Sequence, residues 1–357
     1  VTIGIFCLLP LTKSGDNLSI DSVQNDQAAI WVLGLGTTLG IAVMAFVQGA
    51  AVLRHGMRFT FAPQFTHPAV KKLVQLSLWT LGYVAANQIA LVVIKNLASP
   101  GSGGVDAYSK AFVLLQLPHG LLAVSIATTF VPDLARMFHR GDHQQFSRTM
   151  SSGIRLTALL TIPASCGLLV MSKPIIGLLF QHGNFSAAAT ENTARALSGL
   201  AIGLAGFSIY LFVLRGFYAR NDTRTPFFIN IGENAINIVL AIVLVDRHGV
   251  FGLGLAFSIA YLVSALVALL VLESTEVDIK LSELAFNIAR IALAAGAMTC
   301  AVWFVIQYIG SDAGLGALTR VIAGTLIGVT TYVVALSALG EKTMRDYLSS
   351  KITRSSR

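Results

Sequence analysis

The chain has 357 residues, 55% of them hydrophobic and only 12% charged, and its mean hydropathy is +0.73. Soluble domains carry about 25% charged residues; here the deficit runs along the whole length, which excludes a soluble domain with one anchor and indicates a polytopic membrane protein. The net charge of +8 would suit nucleic acid if it covered a soluble surface, but its distribution follows membrane topology instead.

In chain order, residues 1–11 are apolar but too short to span, and no basic stretch precedes them as in a signal peptide. They read as the end of a helix that begins upstream, so the sequence is expected to be the C-terminal part of a longer protein. Nine complete apolar spans follow, at 28–53, 74–97, 107–130, 151–171, 190–214, 226–245, 249–272, 284–309 and 318–339. Each is long enough to cross a hydrocarbon core of ~30 Å at ~1.5 Å rise per residue. The short alternating segments of a membrane barrel are absent.

The loop 215–226 holds Arg215, Arg220 and Arg224 between two such spans. A charge at the bilayer centre costs ~2.5–3.5 kcal/mol on the mildest scale, so the loop lies outside the hydrocarbon. Arginine gathers on the cytoplasmic side, which orients every other span. Segments 54–72, 133–155, 273–290 and the tail 341–357 then also face the cytoplasm, and with the arginine loop they hold 18 of the 25 Lys and Arg residues. Leu134, Met137, Phe138, Phe146 and Met150, set among charges, predict a short helix lying on the membrane surface. Residues 273–283 read as a linker and the basic tail as surface-lying. Gly199 with Gly203, Gly324 with Gly328, and Gly34, Gly36 and Gly40 mark close helix approaches. Cys7, Cys166 and Cys300 stand singly in apolar segments and read as packing residues.

Polar groups inside spans are costly and usually face a cavity. The richest set is Asn230, Glu233, Asn234 and Asn237, whose i, i+3, i+4, i+7 spacing puts them on one helix face. Such a stripe lines water or binds something, or else serves interhelical hydrogen bonds alone. Asn87 and Gln88 lie mid-span with Lys95 farther along; Lys110, Gln116 and His119 surround Pro118. A mid-span proline frees a carbonyl and kinks the helix. Lys110 is placed to meet an anionic headgroup, and Lys95 and Lys110 are equally placed to snorkel to the interface. No nucleotide loop, HExxH, GxSxG or clustered Cys/His ligand set occurs, so neither an enzyme nor a metal site is expected.

The stretch Gly216-Phe217-Tyr218-Ala219-Arg220-Asn221-Asp222-Thr223-Arg224-Thr225-Pro226 resembles the MurJ/MviN family, the lipid II flippases of bacterial peptidoglycan synthesis. Two further stretches agree in order and spacing: Leu117-Pro118-His119-Gly120 with Pro132-Asp133-Leu134-Ala135-Arg136 downstream, and Leu179-Phe180-Gln181-His182-Gly183-Asn184-Phe185. The resemblance implies an all-α membrane bundle of the MOP superfamily, its nine spans matching helices six to fourteen of fourteen. It divides the chain into the end of the first lobe (1–73), a six-helix second lobe (74–272), and two lipid-groove helices with a basic cytoplasmic tail (273–357). It marks Gly216, Tyr218, Arg220, Asp222, Arg224 and Pro226 as the cytoplasmic motif.

What the resemblance implies for function is flipping of lipid II across the bacterial cytoplasmic membrane by alternating access, with an exporter of drugs or lipid-linked oligosaccharides from the same superfamily as the alternative. Asn87, Gln88, Lys110, Gln116, Pro118, Asn230, Glu233, Asn234 and Asn237 are the candidate cavity residues, and Glu233 with Asn237 is a candidate cation site. Some relatives bind sodium in this lobe; sodium, or a proton or the membrane potential, is therefore an expected coupling agent, with no other cofactor. Lys95 is an alternative occupant of that place as a tethered cation. Where some members carry a basic residue five positions before the proline this chain has Val113, and Lys110 is the nearest cation. Membrane lipids, cell-wall synthesis proteins and cytoplasmic regulators are the expected partners, and nucleic acid is not.

Overall fold

The computed structural model describes residues 27–54, 67–99, 101–275 and 280–340; residues 1–11 and the tail 341–357 lie outside them. The chain divides into two units, Val1–His67 and Pro68–Arg357. In the first, the described element is helix α1 (Gln27–Arg54), apolar throughout and ending on Arg54.

The second unit contains α2 (Pro68–Leu97), α3 (Gly104–Pro118), a π-helical segment (His119–Val124), α4 (Ser125–His139), α5 (His143–Val170), α6 (Ser172–Phe180), α7 (Ala187–Ala201), α8 (Leu204–Ala219), α9 (Arg224–His248), α10 (Val250–Glu273), α11 (Leu281–Tyr308) and α12 (Gly314–Ala338). Among the described residues of the whole chain, eight helices are long and apolar enough to cross a membrane, and nine if the bent pair α7–α8 is one span. Their outer faces carry large apolar side chains, Leu78, Leu121 and Leu326 among them, each more than 60% exposed. A soluble monomer rarely shows apolar patches of such extent; on a bilayer-spanning bundle this is the lipid-facing surface.

α8 is the axle of the second unit. It packs on α5, α4 and α10, and Tyr210, Phe212, Val213, Leu214 and Phe217 along it are all buried. Glycines let neighbours come close. A Cβ on Gly153 of α5 would lie 2.1 Å from Phe212 Cζ, and one on Gly216 of α8 would lie 2.9 Å from Met150 Cε. At the α7–α10 crossing, a Cβ on Gly199 would sit 2.5 Å from the Phe251 carbonyl oxygen.

The expected surface helix within 133–155 is not present. Leu134, Phe146 and Met150 are fully buried, because α4 and α5 both extend past the apolar spans and pack as a hairpin joined at Gly141 (φ 73°). Amphipathicity there has a protein partner, not a lipid one.

Two spans are interrupted. Pro118 ends α3, and the chain continues as the π segment, a rare geometry in which the helix widens by a residue per hydrogen-bonded turn. The second break, unexpected from sequence, lies between α7 and α8, which meet at 47°. A break inside a membrane frees backbone carbonyls that water cannot satisfy. Here Ser258 Oγ of α10 donates to the Gly199 and Leu200 carbonyls at 2.6 and 3.2 Å, and Ser165 Oγ of α5 donates to that of Ala201.

Candidate functional site

The polar stripe of α9 faces inward. Asn230, Glu233, Asn234 and Asn237 are all buried, the least covered only 6% exposed. α9 packs on α2 and α10, so the stripe meets protein on two sides. Across from it on α2, Asn87 Nδ2 donates to Asn230 Oδ1 at 3.3 Å and to its own Tyr83 carbonyl at 2.9 Å. Asn230 Nδ2 returns a contact to Asn87 Oδ1 at 3.5 Å and another to Glu233 Oε2 at 3.5 Å. Asn234 Nδ2 donates to the Asn230 carbonyl at 2.9 Å. Asn237 Oδ1 is buried without a hydrogen-bond partner among the described residues. In an apolar bundle, an orphaned amide oxygen is costly, and Asn237 is one of the residues that line a cavity.

That cavity measures about 310 Å³ and lies among α2, α3, α9 and α10. Asn87, Glu233, Asn234, Asn237, Lys95 and Ser109 form its polar lining. Tyr108, Phe112, Phe257 and Tyr261 form an aromatic side, and the lipid-exposed Leu91 and Val113 complete the wall. The lining thus joins a carboxylate, amides and one ammonium to a face that opens on apolar surface.

Several expected cavity residues lie elsewhere. Gln88 and Gln116 are exposed, Asn230 is fully buried behind the wall, and neither these three nor Pro118 line the cavity. Lys110 is engaged outside it: it pairs with Asp106 one turn back and lies 5.4 Å over the Phe185 ring. The cation on the wall is Lys95. Val113, the position where a basic residue was sought, does line the cavity. His119, in the π segment, faces Ser208 Oγ of α8 at 3.0 Å, and its ring lies tilted against Phe207 with centroids 4.5 Å apart. The aromatic lining had no signal in the sequence, since Tyr and Phe in apolar spans are indistinguishable from packing residues.

The arginine loop is a built turn. Asn221 takes a left-handed conformation (φ 59°), and Asp222 Oδ1 accepts from the Arg224 and Thr225 amides at 3.0 Å each, capping α9. Arg220 donates to Thr275 Oγ1 and covers the Phe138 ring at 5.6 Å; Arg224 lies over the rings of Trp79 and Phe228. Gly216 and Pro226 are buried and Tyr218 is half-buried.

A profile of the family described as lipid II flippase MurJ matches residues 17–324. The chain belongs to the MurJ lipid II flippase family. It is 30% identical over 308 residues to a probable lipid II flippase MurJ of Rhizobium meliloti (strain 1021), covering 85% of this chain and 58% of the relative. To that of Vibrio cholerae it is 28% identical over 312 residues, covering 86% of this chain and 59% of the relative. The chain thus spans under two thirds of the length of these MurJ relatives. Its fold is similar to a lipid II flippase MurJ solved in an inward closed conformation (TM-score 0.67, 23% identity, 90% of this chain and 64% of that one). It also resembles an outward-facing multidrug resistance MATE transporter of the MOP superfamily (TM-score 0.52, 20% identity, 74% of this chain and 64% of that one). This chain places its wall cation on α2, at Lys95, and leaves Lys110, midway along α3, with a carboxylate partner.

Proposed function

We propose that this chain forms the C-terminal part of a flippase that moves lipid II from the inner to the outer leaflet of the bacterial cytoplasmic membrane by alternating access. The observation that carries the reading is the amphiphilic cavity: Glu233 and its asparagines on one wall, exposed Leu91 and Val113 on another. A lipid-linked precursor needs both at once, polar groups for its sugar–peptide–pyrophosphate head and an apolar opening for its tail. Lys95 supplies a positive charge for the pyrophosphate. The breaks at the π segment and between α7 and α8 are where helices can flex while neighbouring side chains keep the freed backbone satisfied.

Glu233 and the unpartnered amide oxygen of Asn237, one turn apart, form the candidate cation site. It would take Na⁺ or a proton, and filling it in one conformation only would couple the gradient to the motion. The basic loops, Arg220 and Arg224 included, face the cytoplasm in this reading, as does the C-terminus. A cysteine placed at the exposed Asn221 should then react with a membrane-impermeant thiol reagent only after the membrane is opened.

The test uses the whole gene product in bacteria whose own lipid II flippase can be shut off. Growth and lipid II reaching the outer leaflet are expected, with both lost in Glu233→Leu. Dependence on Na⁺ or on external pH, abolished in Glu233→Gln, would identify the coupling ion. Drug efflux without lipid II movement would favour the MATE-like reading and overturn this one.

A further inference from the structure

A second cavity lies far from Glu233 in the sequence and in composition. It measures about 750 Å³ and separates the first turns of α5 from those of α11. On α5, Arg148, Ser152 and Arg155 follow at i, i+4, i+7 and share a face; opposite them, Glu283 and Asn287 of α11 share a face at i, i+4, and Lys280, the residue that precedes α11, lines the same cleft. Farther along α11 the inward face is apolar and buried at Ile291, Ala295, Met298 and Val302. The two helices therefore part only where their facing stripes turn polar and basic.

Among the described residues, three cations and one carboxylate line the cleft, and Glu283 lies 3.2 Å from Lys280. Arg148 is exposed and forms no ion pair among the described residues. Guanidinium forks, serine hydroxyls and an asparagine amide are the donor set for a phosphate diester. The cleft sits at the ends of two membrane-spanning helices, the level at which lipid headgroups lie. Just outside it, α11 presents Phe286 and Leu293, both well exposed, with Arg290 4.2 Å over the Phe286 ring. Acyl chains can follow that apolar strip while the headgroup enters the cleft.

We propose that the cleft between α5 and α11 binds the headgroup phosphate of one anionic phospholipid, as a resident lipid and not as cargo. The site is separate from the transport cavity, and the inference stands whether or not the chain carries lipid II.

Native mass spectrometry of the purified protein in micelles tests it, with phosphatidylglycerol and phosphatidylcholine offered at equal concentration. One phosphatidylglycerol should be retained in preference. Arg148→Gln with Lys280→Gln should lower its occupancy by roughly fivefold per cation removed, leaving phosphatidylcholine and the unfolding temperature unchanged. Inorganic phosphate at the lipid's concentration should not displace it. Wild-type retention in the double variant overturns the proposal. So does displacement by inorganic phosphate, which would make the cleft a soluble-anion site. If loss of the Glu283 partner unfolds the double variant, Arg148→Gln alone decides, with the same fivefold loss expected and unchanged retention overturning the idea.

Discussion

Asn87 and Asn230, 143 positions apart, turn their amides toward each other across α2 and α9, nitrogen to oxygen at 3.3 and 3.5 Å. The pair ties α2 to the polar stripe and leaves Asn230 touching Glu233. It is the side-chain amide pair between two helices that also meet at their cytoplasmic-motif end, where Arg224 lies over Trp79 and Thr223 Oγ1 donates to the Leu76 carbonyl at 3.4 Å.

Replacing either amide should therefore weaken the α2–α9 contact. Asn87→Leu and Asn230→Leu are each expected to destabilise by about 0.6–1.7 kcal/mol, the range for interhelical hydrogen bonds in membranes. Because the two share one interaction, the double variant should cost less than the sum. Unfolding in micelles measures this, and strict additivity would mean that the pair contributes nothing.

The bend between α7 and α8 depends on borrowed donors. Ser258→Ala removes the hydroxyl that serves the Gly199 and Leu200 carbonyls and should cost about 1–3 kcal/mol for the groups left unsatisfied. Gly203→Ala should cost about 1–3 kcal/mol by overpacking, since its Cβ would lie 2.5 Å from the Ser258 Cα. The Ser258 Oγ would lie at 2.6 Å and its Cβ at 2.9 Å; Ser258→Ala removes only the Oγ and leaves the clashes with Cα and Cβ, so it should not rescue Gly203→Ala. A stable double variant would refute this account of the bend.

The turn between α11 and α12 is held by charge. Asp312 pairs with Arg320 and lies 3.6 Å from Lys173, which also meets Glu191 at 3.0 Å. Arg320 further donates to the Ile309 and Gly310 carbonyls at 2.7 and 3.1 Å. Arg320→Ala, which strands two carbonyls and leaves Asp312 only its longer contact with Lys173, should cost about 1.5–3 kcal/mol. Lys173→Ala, at a half-exposed pair, should cost at most about 1 kcal/mol. The hydrogen bond and charge of Glu191 raise the Lys173 ammonium above the ordinary lysine range. Its contribution is therefore intact at neutral pH and fades only as pH rises through that raised value. Unfolding temperatures of both variants at pH 7 and in the alkaline range check the order and the sign; equal losses would contradict it.

The amino-acid sequence alone determined the spans and the shared face of Asn230, Glu233, Asn234 and Asn237. Both follow from local physics: hydrocarbon demands about twenty apolar residues, and a helix repeats every 3.6. It also carried the family resemblance, through the turn whose Asp222 caps α9. Only the tertiary structure decided what faces what. It brought Lys95 to the cavity wall, turned Gln88 outward, buried Met150 against Gly216 where a surface helix was expected, and opened the cleft at Arg148. Those outcomes depend on which helix packs beside which, and a side chain's own neighbours in sequence hold no record of a partner many residues away.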